Sequence, residues 1–372
     1  MASFVRILAA HHLADELYGR VADLIPALLR SVKSESTERE TILALKAIAL
    51  TIISFQDDSN YDGLSAQLKR TVCDSQSLPT KAAAIHCLGA YTAFCGVGDE
   101  EIMEVLNFLL EIVSTDGTFV DATDDADTVI AALQQYGFLS TYIEDLEAES
   151  EDAVATFVDQ LESTNVYVQI AAGENIALLY EKSYTPMEED DTISDLEDNT
   201  EANNSSSSGD DNSSPGQPDG PKLIKRYNAY HNTYQVSEKT QSLASLSTRK
   251  LNKHEKKRLH QSFASVHITI ENPRRGLQTN SASRMTVRIH QEGEMRVDRW
   301  WKLMRLQALR RLLQGGFVNH YFEGNKQVLD TLPLIMRDVR GVRSPGLGAD
   351  KGKKGRWRDS PKRGVVRGFG DE

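Results

Sequence analysis

Apolar residues recur at three- and four-residue steps through most of the first 182 positions, the spacing that lines one face of a helix. The clearest stretch is Thr164–Lys182, TNVYVQIAAGENIALLYEK. Val168, Ala171, Ala172, Asn175, Ile176, Leu178 and Leu179 fall on one face, and Asn165 is placed to cap the start. Three upstream segments repeat the pattern. Helix 37–56 carries Ala44, Leu45, Ile48 and Ala49, helix 79–95 carries Ala84, Ile85, Leu88 and Gly89, and helix 125–142 carries Ala132, Leu133, Tyr136 and Gly137. Ala172, Gly173, Ile176 and Ala177 take those places in the fourth. The steps between sets are 40, 48 and 40 residues, the period of HEAT and armadillo repeats. The other arrangement such helices allow is an irregular bundle. Small residues such as Ala171, Ala172 and Gly173 let a neighbouring helix approach closely.

Between these inner helices the pattern predicts outer ones. Residues 15–33 form a helix that Pro26 should kink or split. Further helices are expected at 60–73, at 99–114 with Asp99 as cap, and at 145–162, with a loop over 115–127. No alternating strand pattern occurs in this half.

The pattern stops at 183–221, which is acidic, rich in Ser, Asn, Gly and Pro, and nearly without large apolar residues. Such a segment buries too little surface to offset its ordering entropy and reads as a disordered linker. Within it Ser194, followed by Asp195 and Glu197, is a candidate phosphorylation site. A second folded unit is expected at 222–338. It opens with basic and aromatic residues mixed, followed by a basic helix at 248–264. VHITI at 266–270 alternates as a short strand does, and Met285–His290 and Met295–Val297 read as a pair of strands. A helix at 298–314, with Asp298 as cap, ends at Gly315–Gly316. A last helical segment at 326–336 is kinked or ended by Pro333. Residues 339–372 form a basic Gly/Arg-rich tail, read as disordered. The expected architecture is thus an all-α solenoid over 1–182, a disordered linker, a small α+β carboxy-terminal domain and the tail.

Charge divides the chain at the same place. Residues 1–220 hold 10 Lys/Arg against 41 Asp/Glu, whereas 221–372 hold 32 against 13. Between Lys81 and Lys182 there is no lysine or arginine, but 20 Asp/Glu. A single-sign field attracts basic partners and repels nucleic acid, with a reach of ~8 Å at physiological salt. In the other half Arg249, Lys250, Lys253, Lys256, Lys257 and Arg258 form one basic segment suited to neutralising the phosphates of RNA. Cys73, Cys87 and Cys95, without a C-x-x-C pair, read as reduced, buried thiols of the cytosol or nucleus. No apolar run approaches the ~20 residues that span a bilayer. The start, broken by Arg6 and His11–His12, reads as the remains of a first helix and not as a signal peptide. No phosphate-binding glycine loop, HExxH or GxSxG motif occurs, so no enzyme, metal or cofactor is expected.

The segment NVYVQIAAGENIALLYE at 165–181 resembles the inner repeat helix of the interferon-related developmental regulator family. So does the carboxy-terminal order of elements: a basic helix ending in Arg258 and Phe263, a strand, the segment Met295–Arg296–Val297–Asp298–Arg299–Trp300, then helix, Gly–Gly and helix closing at Leu332–Pro333–Leu334. The resemblance covers most of residues 15–338. It implies an armadillo-like amino-terminal domain, a family-specific carboxy-terminal domain, and transcriptional co-regulation with partners among co-repressor complexes. The family's repeat signature maps here onto Ala171, Ala172, Gly173, Glu174, Ile176, Leu178 and Leu179. The basic carboxy-terminal segment that some members carry does not match the Gly/Arg tail.

Two functions follow from these features, neither needing a membrane or a small-molecule substrate. One is a regulatory scaffold that recruits proteins through the solenoid to control gene expression. The other is an RNA- or ribosome-associated regulator of translation acting through the basic half. Either places the chain in the cytoplasm, the nucleus or both.

Overall fold

A computed structural model describes residues 1–56, 60–187, 223–246, 251–277, 285–288, 293–332 and 335–336. Residues 1–336 form one compact unit, and 337–372, a second unit, lie outside the described residues.

The first half is a right succession of helices: α1 (Ala2–Ala10), α2 (Ala14–Leu17), α3 (Val21–Ser34), α4 (Glu38–Ser54), α5 (Tyr61–Asp74), α6 (Leu78–Cys95), α7 (Asp99–Ser114), α8 (Ala126–Ser140), α9 (Glu147–Gln160) and α10 (Val166–Lys182). The four repeat helices α4, α6, α8 and α10 pack in sequence along one side, and α3, α5, α7 and α9 lie against them on the other. This is the expected solenoid. Local chemistry sets its boundaries. Thr37, Ser77, Asp125 and Asn165 each accept a backbone N–H at the start of an inner helix. Gly96, at φ +92°, ends α6 in the left-handed conformation open to glycine.

The repeat has a side-chain logic. In the first three sets the fourth position receives a residue from the next inner helix. The Cys87 thiol meets the Ala49 backbone, Gln135 lies on Gly89, and Asn175 lies on Gly137. A Cβ at Gly137 would stand 2.2 Å from Asn175 Oδ1, so only glycine fits. Asn175 Nδ2 donates to Leu133 O at 2.9 Å, tying the two helices together.

Two amino-terminal expectations are corrected. Pro26 sits inside an intact helix, and the break falls earlier, at residues 18–20, where Gly19 takes φ +73°. Asp99 is the first residue of α7 and not its cap; Gly98 holds that place without a side-chain bond.

The carboxy-terminal elements are β2 (Leu223–Lys225), α11 (Thr233–Ser245), α12 (Lys253–Glu271), β3 (Met285–Arg288), β4 (Gly293–Val297), α13 (Trp300–Leu313), α14 (Phe317–Phe322), α15 (Lys326–Thr331) and β5 (Ile335–Met336). The first five linker residues belong to the fold. Ser183 Oγ donates to Tyr180 O, and β1 (Tyr184–Pro186) pairs antiparallel with β2, Tyr184 opposite Lys225. Residues 188–222 lie outside the described residues.

VHITI is helix, not strand. Leu259, Phe263, Val266 and Ile270 are buried at helical spacing on one face of α12, and tertiary packing overrides the β-branched residues. The strands β3 and β4 pair as expected, Met285 opposite Val297, and β5 joins β4. The last helix stops at Thr331, before Pro333, and Ile335–Met336 continues as strand. Asp298 does not cap α13; its carboxylate holds Lys302 Nζ at 2.6 Å.

These elements share the core of the solenoid. The pair α11–α12 stacks on α10 as a further repeat would, with α12 extending the inner row. The Phe263 ring lies on Gly173, where a Cβ would come within 2.8 Å. The helix α13 then runs back across α10, α8, α6 and α4, covering the inner face. At the far end α14 reaches α1: His320 Nε2 donates to Leu8 O at 3.0 Å, and Asn319 Nδ2 to Ala10 O at 3.0 Å.

Candidate functional site

Two surfaces and one seam follow from this arrangement. The outer face is acidic. Glu100, Glu104 and Glu111 of α7, Asp121 and Asp124 of the following loop, and Asp152 and Asp159 of α9 are exposed. The two lysines that bound the basic-free stretch do not dilute this field. Lys81 is 1% exposed, and its Nζ donates to Val72 O, Cys73 O and Val120 O at 2.9, 2.8 and 2.6 Å. It thereby closes the end of α5 onto the loop after α7. Lys182 Nζ likewise donates to Ile143 O. Cations that do reach acids of the outer side include Lys69, on Glu104 at 2.7 Å, and Lys239 of α11, on Glu162 at 2.7 Å.

The basic surface lies on α12. Arg249 and Lys250 lie outside the described residues. Asn252 and Glu255 form a reciprocal capping box at the helix start. Beyond it Lys253, His254 and Lys257 are exposed, and Lys256 is half-buried. Arg258 stacks over the Tyr167 ring of α10, 5.1 Å from its centroid, which ties part of this segment to the solenoid. Ser194, the candidate phosphorylation site, lies outside the described residues.

The signature residues Ala171, Ala172, Ile176, Leu178 and Leu179 are buried in α10. Gly173 admits Phe263, and Glu174 faces the inner seam. There Gln307 Nε2 of α13 donates to Glu174 Oε2 at 3.4 Å, and burial pushes the Glu174 carboxyl up to about 7. Two turns further on, Glu181 supplies what α13 lacks at its start. Its carboxylate accepts the Trp300 N–H at 2.9 and 3.1 Å and the Trp301 N–H at 3.4 Å. Burial outweighs these bonds and pushes Glu181 up to about 7 as well. The Trp300 ring is 1% exposed, and its Nε1 donates to Thr269 Oγ1 of α12 at 2.8 Å. Arg305 fastens the middle of α13: Nη2 donates to Thr141 O at 2.8 Å, and its guanidinium lies over Tyr142 and Trp301, 4.4 and 5.0 Å from the ring centroids.

Sequence reasoning missed these three fasteners. Lys81 had a signal, since it shares the apolar face of Ala84, Ile85 and Leu88. Glu181 and Arg305 had none, because their partners lie more than a hundred residues away. Among the described residues no group of three or more His, Cys, Asp or Glu is arranged to hold a metal ion, and no helix is long and apolar enough to cross a membrane. The three cysteines are thiols, and burial pushes Cys87 up to about 12.

Against known proteins, the chain is 26% identical over 319 residues to an uncharacterized protein of Schizosaccharomyces pombe. That alignment takes in 85% of this chain and 66% of the relative, so the chain spans about two thirds of the relative's length. The profile of the interferon-related developmental regulator family matches residues 1–271, from the first helix through the whole of α12. With the repeat helices, the α10 signature and the helix that docks on Gly173 all inside that match, the chain belongs to the interferon-related developmental regulator family.

Proposed function

We propose that the chain is a non-enzymatic regulatory scaffold that controls gene expression by recruiting protein partners, as in transcriptional co-regulation, and that it does so through the acidic outer face of its solenoid. The observation that carries this reading is the division of labour between faces. A solenoid ordinarily offers its concave side to extended segments, but here α13 lies along that side. The outer helices meanwhile display acids whose bounding lysines are spent on buried carbonyls. Such a surface suits partners with basic segments.

A second reading, association with RNA or the ribosome through α12, is supported by the exposure of Lys253, His254 and Lys257. One experiment separates the two. Tagged protein is sedimented from cell lysate through sucrose gradients at low and high salt, with and without ribonuclease. Beside it run an outer-face variant (Glu100→Lys, Glu104→Lys, Asp152→Lys) and a basic-helix variant (Lys253→Glu, Lys257→Glu). Large complexes that resist ribonuclease and vanish only in the outer-face variant support the scaffold. Complexes that ribonuclease dissolves and that only the basic-helix variant loses would replace it with the second reading.

A further inference from the structure

Beneath α13 lies a cavity of about 200 Å³, bounded by α4, α6, α8 and α13. Its apolar walls include Leu45, Ala90, Phe94, Phe138 and Leu312. Three nitrogen donors from three different helices line the same space: Lys46 of α4, His86 of α6 and Arg311 of α13. The Arg311 Nε is buried without a hydrogen-bond partner among the described residues. Gln135 Nε2 meets His86 Nδ1 at 2.8 Å. With the amide so oriented, the imidazole proton rests on Nε2, a third donor. Burial and the nearby Arg311 hold His86 neutral, lowering it to about 3.

A buried guanidinium nitrogen without an acceptor is costly, and a polar atom left in that state points to a missing partner. Glu174 is the carboxylate that acts on Arg311 electrostatically, but its own hydrogen bond goes to Gln307. A water would supply an acceptor without charge. An inorganic anion would leave the apolar walls uncovered. A cavity near 150 Å³ accepts benzene, so this one has room for a ring and a carboxylate.

We propose that this cavity binds a small amphipathic monocarboxylate. The carboxylate accepts from Arg311, Lys46 and the His86 Nε2–H, and a body about the size of an aromatic ring lies among Leu45, Phe94 and Phe138. Such a ligand touches both α13 and the helices beneath it, so it pins α13 to the inner face. The site is separate from the acidic outer face and does not depend on the function proposed above.

The test uses the full chain and ligand-observed NMR titrations with benzoate, benzyl alcohol and inorganic phosphate. Benzoate is expected to bind at least about tenfold more tightly than benzyl alcohol and to raise the melting temperature. Phosphate is expected to do neither. Arg311→Met and Lys46→Met should each weaken benzoate about tenfold or more, and Ala90→Leu, which fills the apolar side, should abolish binding. Circular dichroism checks that each variant folds, and Lys46→Met carries the result if Arg311→Met does not. No benzoate binding up to roughly 10 mM, equal binding of benzoate and benzyl alcohol, or unchanged binding in the folded charge-removal variants overturns the proposal.

Discussion

The inner and outer faces of this solenoid are made by the same repeats, yet they are built in opposite ways. On the inner face several polar groups are buried and held by distant partners: Glu181 by the start of α13, Arg305 by Thr141, Thr269 by Trp300. On the outer face charged groups are many, exposed and mostly of one sign. A buried charge is tolerated only with its partners in place, whereas an exposed one costs little and acts at a distance. The inner face therefore reads as the part that holds the fold together, and the outer face as the part left to meet others.

That contrast can be broken most severely at Trp300. Trp300→Ala removes a fully buried ring and its hydrogen bond to Thr269, and should cost about 4 kcal/mol in urea unfolding. A loss below about 1 kcal/mol would mean that α13 is not docked in solution. Lys81→Met comes next. It leaves three buried carbonyls without their donor, and a loss of about 3 kcal/mol is expected. A neutral or stabilising result would show those carbonyls solvated.

The seam should also respond to pH. Burial raises Glu174 and Glu181 from 4.5 to about 7, so the folded chain holds more protons than the unfolded one between these values. Their contribution to stability is full below about pH 4.5 and is lost as pH rises through about 7. The stability of the wild-type chain relative to Glu174→Gln/Glu181→Gln should therefore fall between pH 5 and pH 8 by a few kcal/mol, roughly 2 for each carboxylate. A flat difference would mean that both carboxylates are already ionised at pH 5. The smallest effect belongs to the outer face. Glu100→Lys or Asp159→Lys should change stability by less than about 0.5 kcal/mol, measured the same way. A larger change would give those acids a structural role.

The repeat was legible because its determinants are local. A helix face needs apolar residues every three or four positions, and Asn165 caps a helix with atoms two and three residues away. The small residue Gly173 could be seen to invite a close neighbour. Which neighbour was not legible, since Phe263 comes from a different part of the chain. VHITI was misread because alternation and helical spacing both fit five residues, and only burial of Val266 and Ile270 against the solenoid decides between them. Of the basic segment, the helix was readable, but the stacking of Arg258 on Tyr167 was not.

By itself, then, the sequence determined the elements that close on themselves: the repeat helices, the Asn165 cap, the 40-residue rhythm and the division of charge. The tertiary structure alone decided that helices beyond residue 222 complete the same core, that α13 covers the inner face, and that Lys81 and Glu181 are buried and Glu174 half-buried. The physical reason is range. Backbone hydrogen bonding and helical periodicity act within a few residues, whereas the partner of a buried polar group is set by which surfaces pack together.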